Sequence, residues 1–377
     1  MCMIISKKKL LTLFIVIMLL SWVVIVPGCA VEPDEEPAEP EEPVEPDEEP
    51  VEPEEPVETF ELSLAHFWPG AHVVETELVA DWGKAIEEAT DGQVKVESYP
   101  GGTLAPGPEI YESVVQGVAD IGISVYAYTR GRFPVIETFL LPGIGYNTSR
   151  AASMAVMEGI ERFDPEEIKD TKHILSFSTG PGHLMIDRPI QSMDDLSGLE
   201  IGATAGPRAD AIEYLGATPV ILPMPEWYEA LERGMMVGGV APLEVLEGFR
   251  LGEVTGDYIT LTPLLYSQKF FMVMNLETWD SLPTDIQIVI EDVSAEYFEE
   301  NLAGLWDRIN ESGLEWVKGM KPVEIIELSP EEEARWMEEI VPVQEEHRQF
   351  LLEQGLPADE ILDAAIEIAE KYNEMYE

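Results

Sequence analysis

From Phe60 onward the chain switches repeatedly between two hydrophobic periods. Residues 60–65 alternate apolar and polar, which predicts a strand, and the segment His66 to His72 that follows reads as a loop. Val74, Leu78, Val79, Trp82 and Ile86 then recur at spacings of three and four, the pattern of a helix with one buried face. The alternation continues with a strand from Val94 to Ser98, the Gly/Pro-rich stretch 100–108, a helix from Ile110 to Val118 and a strand from Ile121 to Val125. It resumes with strands at Ile174–Ser178 and Leu199–Thr204, a helix at Arg208–Leu215, a strand at Pro219–Leu222 and a helix at Glu226–Arg233. Strand and helix in turn predict mostly parallel α/β sheets covered on both faces. About 318 residues are more than one core usually serves, so two lobes are expected. Beyond Pro283, apolar positions from Ile286 to Ile309 without a proline until Pro322 predict one long helix spanning both lobes, and two further helices close the chain near 331–354 and 359–376.

The N-terminal segment follows another logic. Lys7, Lys8 and Lys9 precede an apolar run from Leu10 to Val26, the layout of a secretory signal peptide. The sequence Val26-Pro27-Gly28-Cys29 resembles the lipobox of bacterial lipoproteins, which implies lipidation of Cys29 and a membrane-anchored, extracytoplasmic chain. An uncleaved anchor helix is the alternative, the run being at the short edge of what spans a bilayer. Residues 30–58 hold fifteen acidic residues and eight prolines with no lysine or arginine, a composition that extends as a solvated tether. The expected organisation is a signal peptide over 1–28, a lipid-anchored tether over 29–58 and a body over 59–377. Within the body, lobe I covers about 59–178 and 267–300, and lobe II about 179–266 and 301–377.

The formal charge is −52, and about −37 remains once the tether is set aside, so nucleic acid and anionic lipid head groups would be repelled. Cys2 and Cys29 are the only cysteines, which removes disulfides, cysteine nucleophiles and Cys-metal sites from the mature body. His66, His72 and His183 beside many carboxylates are the one titratable cluster that could serve an enzyme. They lack the helical i, i+4 pairing of a zincin, and no Gly-x-Ser-x-Gly elbow or Gly-rich phosphate loop accompanies them.

Several segments, taken in order, resemble the substrate-binding proteins of TRAP transporters, the DctP type. They include Leu62-Ser-Leu-Ala-His66, Gly117-Val-Ala-Asp120-Ile-Gly122, Phe133-Pro134, Leu141-Pro142 and Arg188-Pro-Ile190 leading to Met193-Asp-Asp-Leu-Ser-Gly-Leu-Glu-Ile201. Leu215-Gly-Ala217 with Pro219-Val220, Glu226-Trp-Tyr-Glu-Ala-Leu231 with Gly234, and Trp279 with Leu282-Pro283 complete the match. The resemblance implies a periplasmic-binding-protein-like α/β fold, two lobes joined by hinge strands, and a cleft that captures a small organic molecule for delivery to membrane permease subunits. It implies no catalysis, cofactor or metal. A ligand-sensing partner of a sensor kinase is the alternative output.

Three polar anchors of that family are missing. The arginine expected after Asp-Leu-x-Gly is Gly202, a second is displaced by Thr179-Gly-Pro-Gly-His183, and the family asparagine is Ala241. Two readings follow. Arg208, at a helix start, takes over an acidic ligand, or the ligand carries no carboxylate and the aromatic and imidazole groups hold it. The expected ligand contacts are His66, Trp68, Tyr126, His183, Thr204 and Arg208, with Tyr128, Trp227 and Tyr228 nearby. The ligand is expected to be a small molecule, an organic or aromatic acid among the candidates.

Overall fold

The computed structural model describes residues 58–377; the expected signal peptide, the lipobox with Cys29 and nearly all of the tether lie outside the described residues. Among the described residues eleven strands form two sheets. The first contains β1 (Phe60–His66), β2 (Val94–Tyr99), β3 (Ile121–Val125) and β4 (Lys172–Pro181), joined late in the chain by β10 (Ser267–Met274), in the order β2-β1-β3-β10-β4. The second contains β5 (His183–Ile186), β6 (Glu200–Ala203), β7 (Thr218–Ile221), β8 (Gly238–Ala241), β9 (Tyr258–Leu261) and β11 (Glu324–Glu327), in the order β11-β9-β5-β8-β6-β7. Helices cover both, so β3 and β10 are buried along their whole length. Pro219 sits in β7, an edge strand, where a missing N–H leaves no ladder bond unmade.

Each sheet is mostly parallel, as expected, with one reversed strand. β10 runs antiparallel to both β3 and β4, and β5 antiparallel to both β8 and β9. The cause is the route of the chain, which enters the second sheet between β4 and β5 and returns between β9 and β10. These two crossings lie side by side at Gly182 and Tyr266, where the Gly182 N–H donates to the Tyr266 carbonyl at 3.0 Å. A Cβ on Gly182 would come within 2.5 Å of the Tyr266 ring, so glycine is what lets the crossings touch.

The long helix beyond Pro283 is divided. An α-helix over Thr284–Tyr297 widens into a π-helical segment, Phe298–Leu302, turns at Ala303 and Gly304, and resumes over Leu305–Met320. The apolar positions predicted the buried face correctly, since Ile286, Ile290, Leu302, Leu305, Trp306 and Ile309 are all buried. A π-helical insertion shifts that face by part of a turn. The first half packs on the helix Ala80–Ala89, whose Trp82 indole donates to Ser294 Oγ at 3.0 Å; the second packs on the short helix Val245–Gly248.

Candidate functional site

The sequence places aromatic residues on four separate segments, and the fold brings them to one cavity where the crossings meet. Phe67 and Trp68 come from the loop after β1, Tyr128 from the turn after β3, Phe249 from beyond β8, and Tyr266 and Phe270 from the return crossing and β10. Phe67 stacks on Trp68 at 4.1 Å between centroids, and Trp68 meets Phe270 at 5.1 Å. Trp306 backs this wall 5.1 Å from Phe270. Such rings give a rigid apolar body to a pocket at small entropic cost.

The polar groups of the cavity are few. Thr204, Thr179, Gln268 and Glu244 reach its wall. Behind Thr204 and Gln268 stands Arg208, in the first turn of the helix Pro207–Tyr214 and only 3% exposed. Its Nη1 donates to Thr204 Oγ1, its Nη2 to Gln268 Oε1 at 2.6 Å and to the Ser267 carbonyl at 3.3 Å, and its guanidinium lies 4.1 Å from the centre of the Tyr266 ring. No carboxylate pairs with it among the described residues, and its Nε has no acceptor. Burial therefore pulls its pKa down, the expected signature of a cation desolvated without a counter-ion. Because Gln268 must turn its oxygen to Arg208, its Nε2 points away, and that donor is also buried without a partner.

Next to Gln268, Lys269 is fully buried. It donates to Ser267 Oγ at 2.5 Å and Ser178 Oγ at 3.2 Å and lies 4.0 Å from the centre of the Tyr146 ring. Burial first, and the charge of Arg208 second, drive its pKa well below the usual lysine range. The site thus carries one uncompensated cation with a second amine beside it. Tyr266 feels both signs of charge in the cavity: burial raises its hydroxyl to about 12, Arg208 opposes the rise and Glu244 adds to it.

Of the residues expected from sequence, Trp68 and Thr204 line the cavity and Arg208 lies directly behind its wall. Three do not line it. His66 is bonded to Glu75 Oε2 at 2.6 Å, with Ser98 Oγ 3.3 Å away, and burial lowers its pKa despite that carboxylate. Tyr126 turns into the core between Phe133 and Phe271, its hydroxyl 2.8 Å from Ser176 Oγ, while Tyr128 two residues on faces the cavity. His183 accepts the Thr262 N–H at its Nδ1 and is held near pKa 4 by burial. His66, His72 and His183 thus serve three different partners. Among the described residues no group of three or more His, Cys, Asp or Glu side chains is placed to hold a metal ion.

Gly202 does not open space into the cavity. A Cβ there would lie 2.7 Å from Met236 Sδ and 3.0 Å from the Trp227 ring, and one on Gly239, its partner on β8, would lie closer still to that ring. Trp227 fills the hollow over the two glycines and donates to the Leu222 carbonyl at 3.0 Å; it is packing, whereas Tyr228 reaches outward to Glu253. Gln268, Glu244 and Tyr266 also line the cavity and were not among the expected contacts, and Lys269 adjoins Gln268. A glutamine and a lysine opening the otherwise apolar strand Ser267–Met274 were the available signal.

Residues 64–349 match the family model described as DctP, bacterial extracellular solute-binding protein, family 7. The C4-dicarboxylate-binding periplasmic protein DctP of Rhodobacter capsulatus is 26% identical over 288 residues, covering 73% of this chain and 84% of that one. Among solved structures, a marine metagenome TRAP solute binding protein specific for aromatic acid ligands, with co-crystallised 3-hydroxybenzoate, is 27% identical with a TM-score of 0.79, covering 84% of this chain and 99% of that one. A TRAP periplasmic solute binding protein from Desulfovibrio salexigens, with the C-terminus of a symmetry mate in its ligand binding site, is 31% identical with a TM-score of 0.73, covering 84% and 98%. The match spans most of the described residues and both sheets, and the chain belongs to the DctP family of bacterial extracellular solute-binding proteins.

Proposed function

We propose that this solute-binding protein captures an aromatic carboxylate in the cavity at the crossings and hands it to TRAP membrane subunits. The observation that carries the reading is the pair of buried donors without acceptors, Arg208 Nε and Gln268 Nε2, beside a cation that has no carboxylate partner among the described residues. A ligand carboxylate supplies both the charge and the acceptors, and the rings of Phe67, Trp68, Tyr266 and Phe270 supply the surface for an apolar body. The aromatic-acid specificity of the 27%-identical marine protein supports the same class. Arg208 thus takes the role left open at Gly202.

On this reading lobe I comprises about 59–178 and 267–300 and lobe II about 179–266 and 301–377, with the crossings at Gly182 and 262–266 as the hinge. Ligand closes the lobes by binding the closed state better. Cys29 carries the lipid and residues 30–58 lift the body from the membrane; intact-mass analysis of membrane-extracted protein finding a chain that begins at Met1 refutes this anchor. The ligand class is tested by thermal-shift screening of aromatic acids, aliphatic carboxylates, sugars and amino acids. An aromatic acid at 100 times its Kd adds about 2.7 kcal/mol of stability. Stabilisation by neutral sugars alone sinks the proposal.

A further inference from the structure

Glu244 is a second buried charge in the same cavity, of opposite sign to Arg208. It is 5% exposed and opens the short segment that leads into the helix Val245–Gly248. Its Oε2 accepts from His72 Nε2 at 3.0 Å. The Val74 N–H donates to His72 Nδ1 at 3.1 Å, which fixes Nε2 as the protonated nitrogen, so the bond to Glu244 comes from a ring whose other nitrogen is an acceptor. Arg250 and Arg308, the nearest arginines at the outer pocket, are turned to Glu253 and Glu77 instead. Among the described residues no protein donor lies within hydrogen-bond distance of Glu244 Oε1, so that oxygen is free to accept from a ligand.

Its position is rigid and lies on a different side of the cavity from Arg208. The Glu244 N–H donates to Asn310 Oδ1 at 3.0 Å. A Cβ on Gly313 would sit 2.9 Å from Glu244 Cα, so the helix Leu305–Met320 presses directly on that backbone. Glu244 is shared between the inner cavity and the outer pocket of His72 and Phe249, whereas Arg208 stands beside Gly206 and Pro207, behind Thr204 and Gln268.

Resting on the aromatic-carboxylate reading, we infer that Glu244, oriented by His72, is a specificity-determining residue that selects acids bearing a hydrogen-bond donor, a hydroxyl or amino group, away from the carboxylate. The ligand's carboxylate meets the Arg208 side and its donor satisfies Glu244. An acid without that donor forgoes the bond to Glu244 and binds less tightly.

Isothermal titration of the purified mature protein with benzoate, phenylacetate and their hydroxy- and amino-substituted positional isomers tests this. At least one substituted isomer binds about tenfold or more tightly than its unsubstituted parent. In Glu244→Gln that affinity ratio falls below about threefold. Wild-type protein binding the parents as well as every substituted isomer overturns the inference while leaving the Arg208 reading intact, as does a Glu244→Gln variant that keeps the full ratio. If no aromatic acid binds but another class does, the aromatic-carboxylate reading itself fails, and this inference with it.

Discussion

Replacing Arg208 separates what holds the fold from what holds the ligand. Without ligand, Arg208 is a buried cation whose desolvation costs several kcal/mol. Offsetting that cost are its bonds to Thr204, Gln268 and the Ser267 carbonyl, each bond to a charged group contributing about 1.5–3 kcal/mol, and its contact with the Tyr266 ring, worth about 2 kcal/mol when desolvated. Cost and gain are of similar size. Arg208→Met, which keeps the stem and removes the charge, therefore changes ligand-free stability by no more than about 2 kcal/mol in either direction, measured by urea unfolding. Its effect on affinity is one-sided: loss of the buried pair costs about 2–5 kcal/mol, or thirtyfold and upward, by isothermal titration with an aromatic acid that binds the wild type. Arg208→Lys falls between the two because an ammonium cannot reproduce the fork. If Arg208→Met lost more than about 4 kcal/mol without ligand and still bound within threefold of wild type, Arg208 would be a structural cation and the proposed anion site would be wrong.

Gly202→Ala puts a methyl 2.7 Å from Met236 Sδ, and overpacking of this kind costs about 1–3 kcal/mol; chemical unfolding in which the alanine variant matches wild type refutes the packing account of Gly202. Trp68→Ala removes a fully buried ring and costs about 3–5 kcal/mol of stability, and titration should show its preference for aromatic over aliphatic acids shrinking; an unchanged preference removes Trp68 from the ligand wall. The pH dependence has two arms. Burial raises Glu137 and Glu167 to about 7, so their contribution is full below about 4.5 and lost as pH rises through 7. Burial lowers His173 and His347 to about 4, so theirs is present above 6.5 and lost as pH falls through 4. Glu137→Gln thus raises the melting temperature at pH 8 and not at pH 5, and an equal gain at both refutes the assignment.

The parts of the fold with strong periodicity were legible. The helices Pro330–Glu353 and Ala358–Met375 fall within one residue of where their apolar spacing put them, and β3 coincides with the predicted run Ile121–Val125. The helix Ser149–Phe163 was not seen. It packs on β4 through alanines and serines, Ser153 Oγ accepting the Ser178 N–H at 2.9 Å, and small residues give little hydrophobic contrast. β8 was invisible for a related reason, since Gly238 and Gly239 are poor strand formers retained because Ile186 and Trp227 occupy their space. Arg208, which stands behind the cavity wall, could be singled out because a cation at a helix start is a local feature. His66 lies away from the cavity because its partner, Glu75, comes from the π-helical turn Val74–Val79, and that geometry leaves no mark on the alternation of residue types. Glu244 and Gln268 owe their meaning to neighbours far along the chain, which no window of sequence contains.

The helix Leu305–Met320 touches the cavity at both ends of its reach, through Trp306 behind the aromatic wall and through Asn310 and Gly313 against Glu244. On the proposed reading, these contacts make the helix a ruler for the ligand. Glu244 cannot retreat to admit a longer molecule unless the helix moves, and moving it disturbs the ring stack of Phe177, Phe270 and Trp306. On that reading length and aromaticity are read by the same part of the protein, and a homologous series of acids should show a sharp cut-off in chain length instead of a gradual decline.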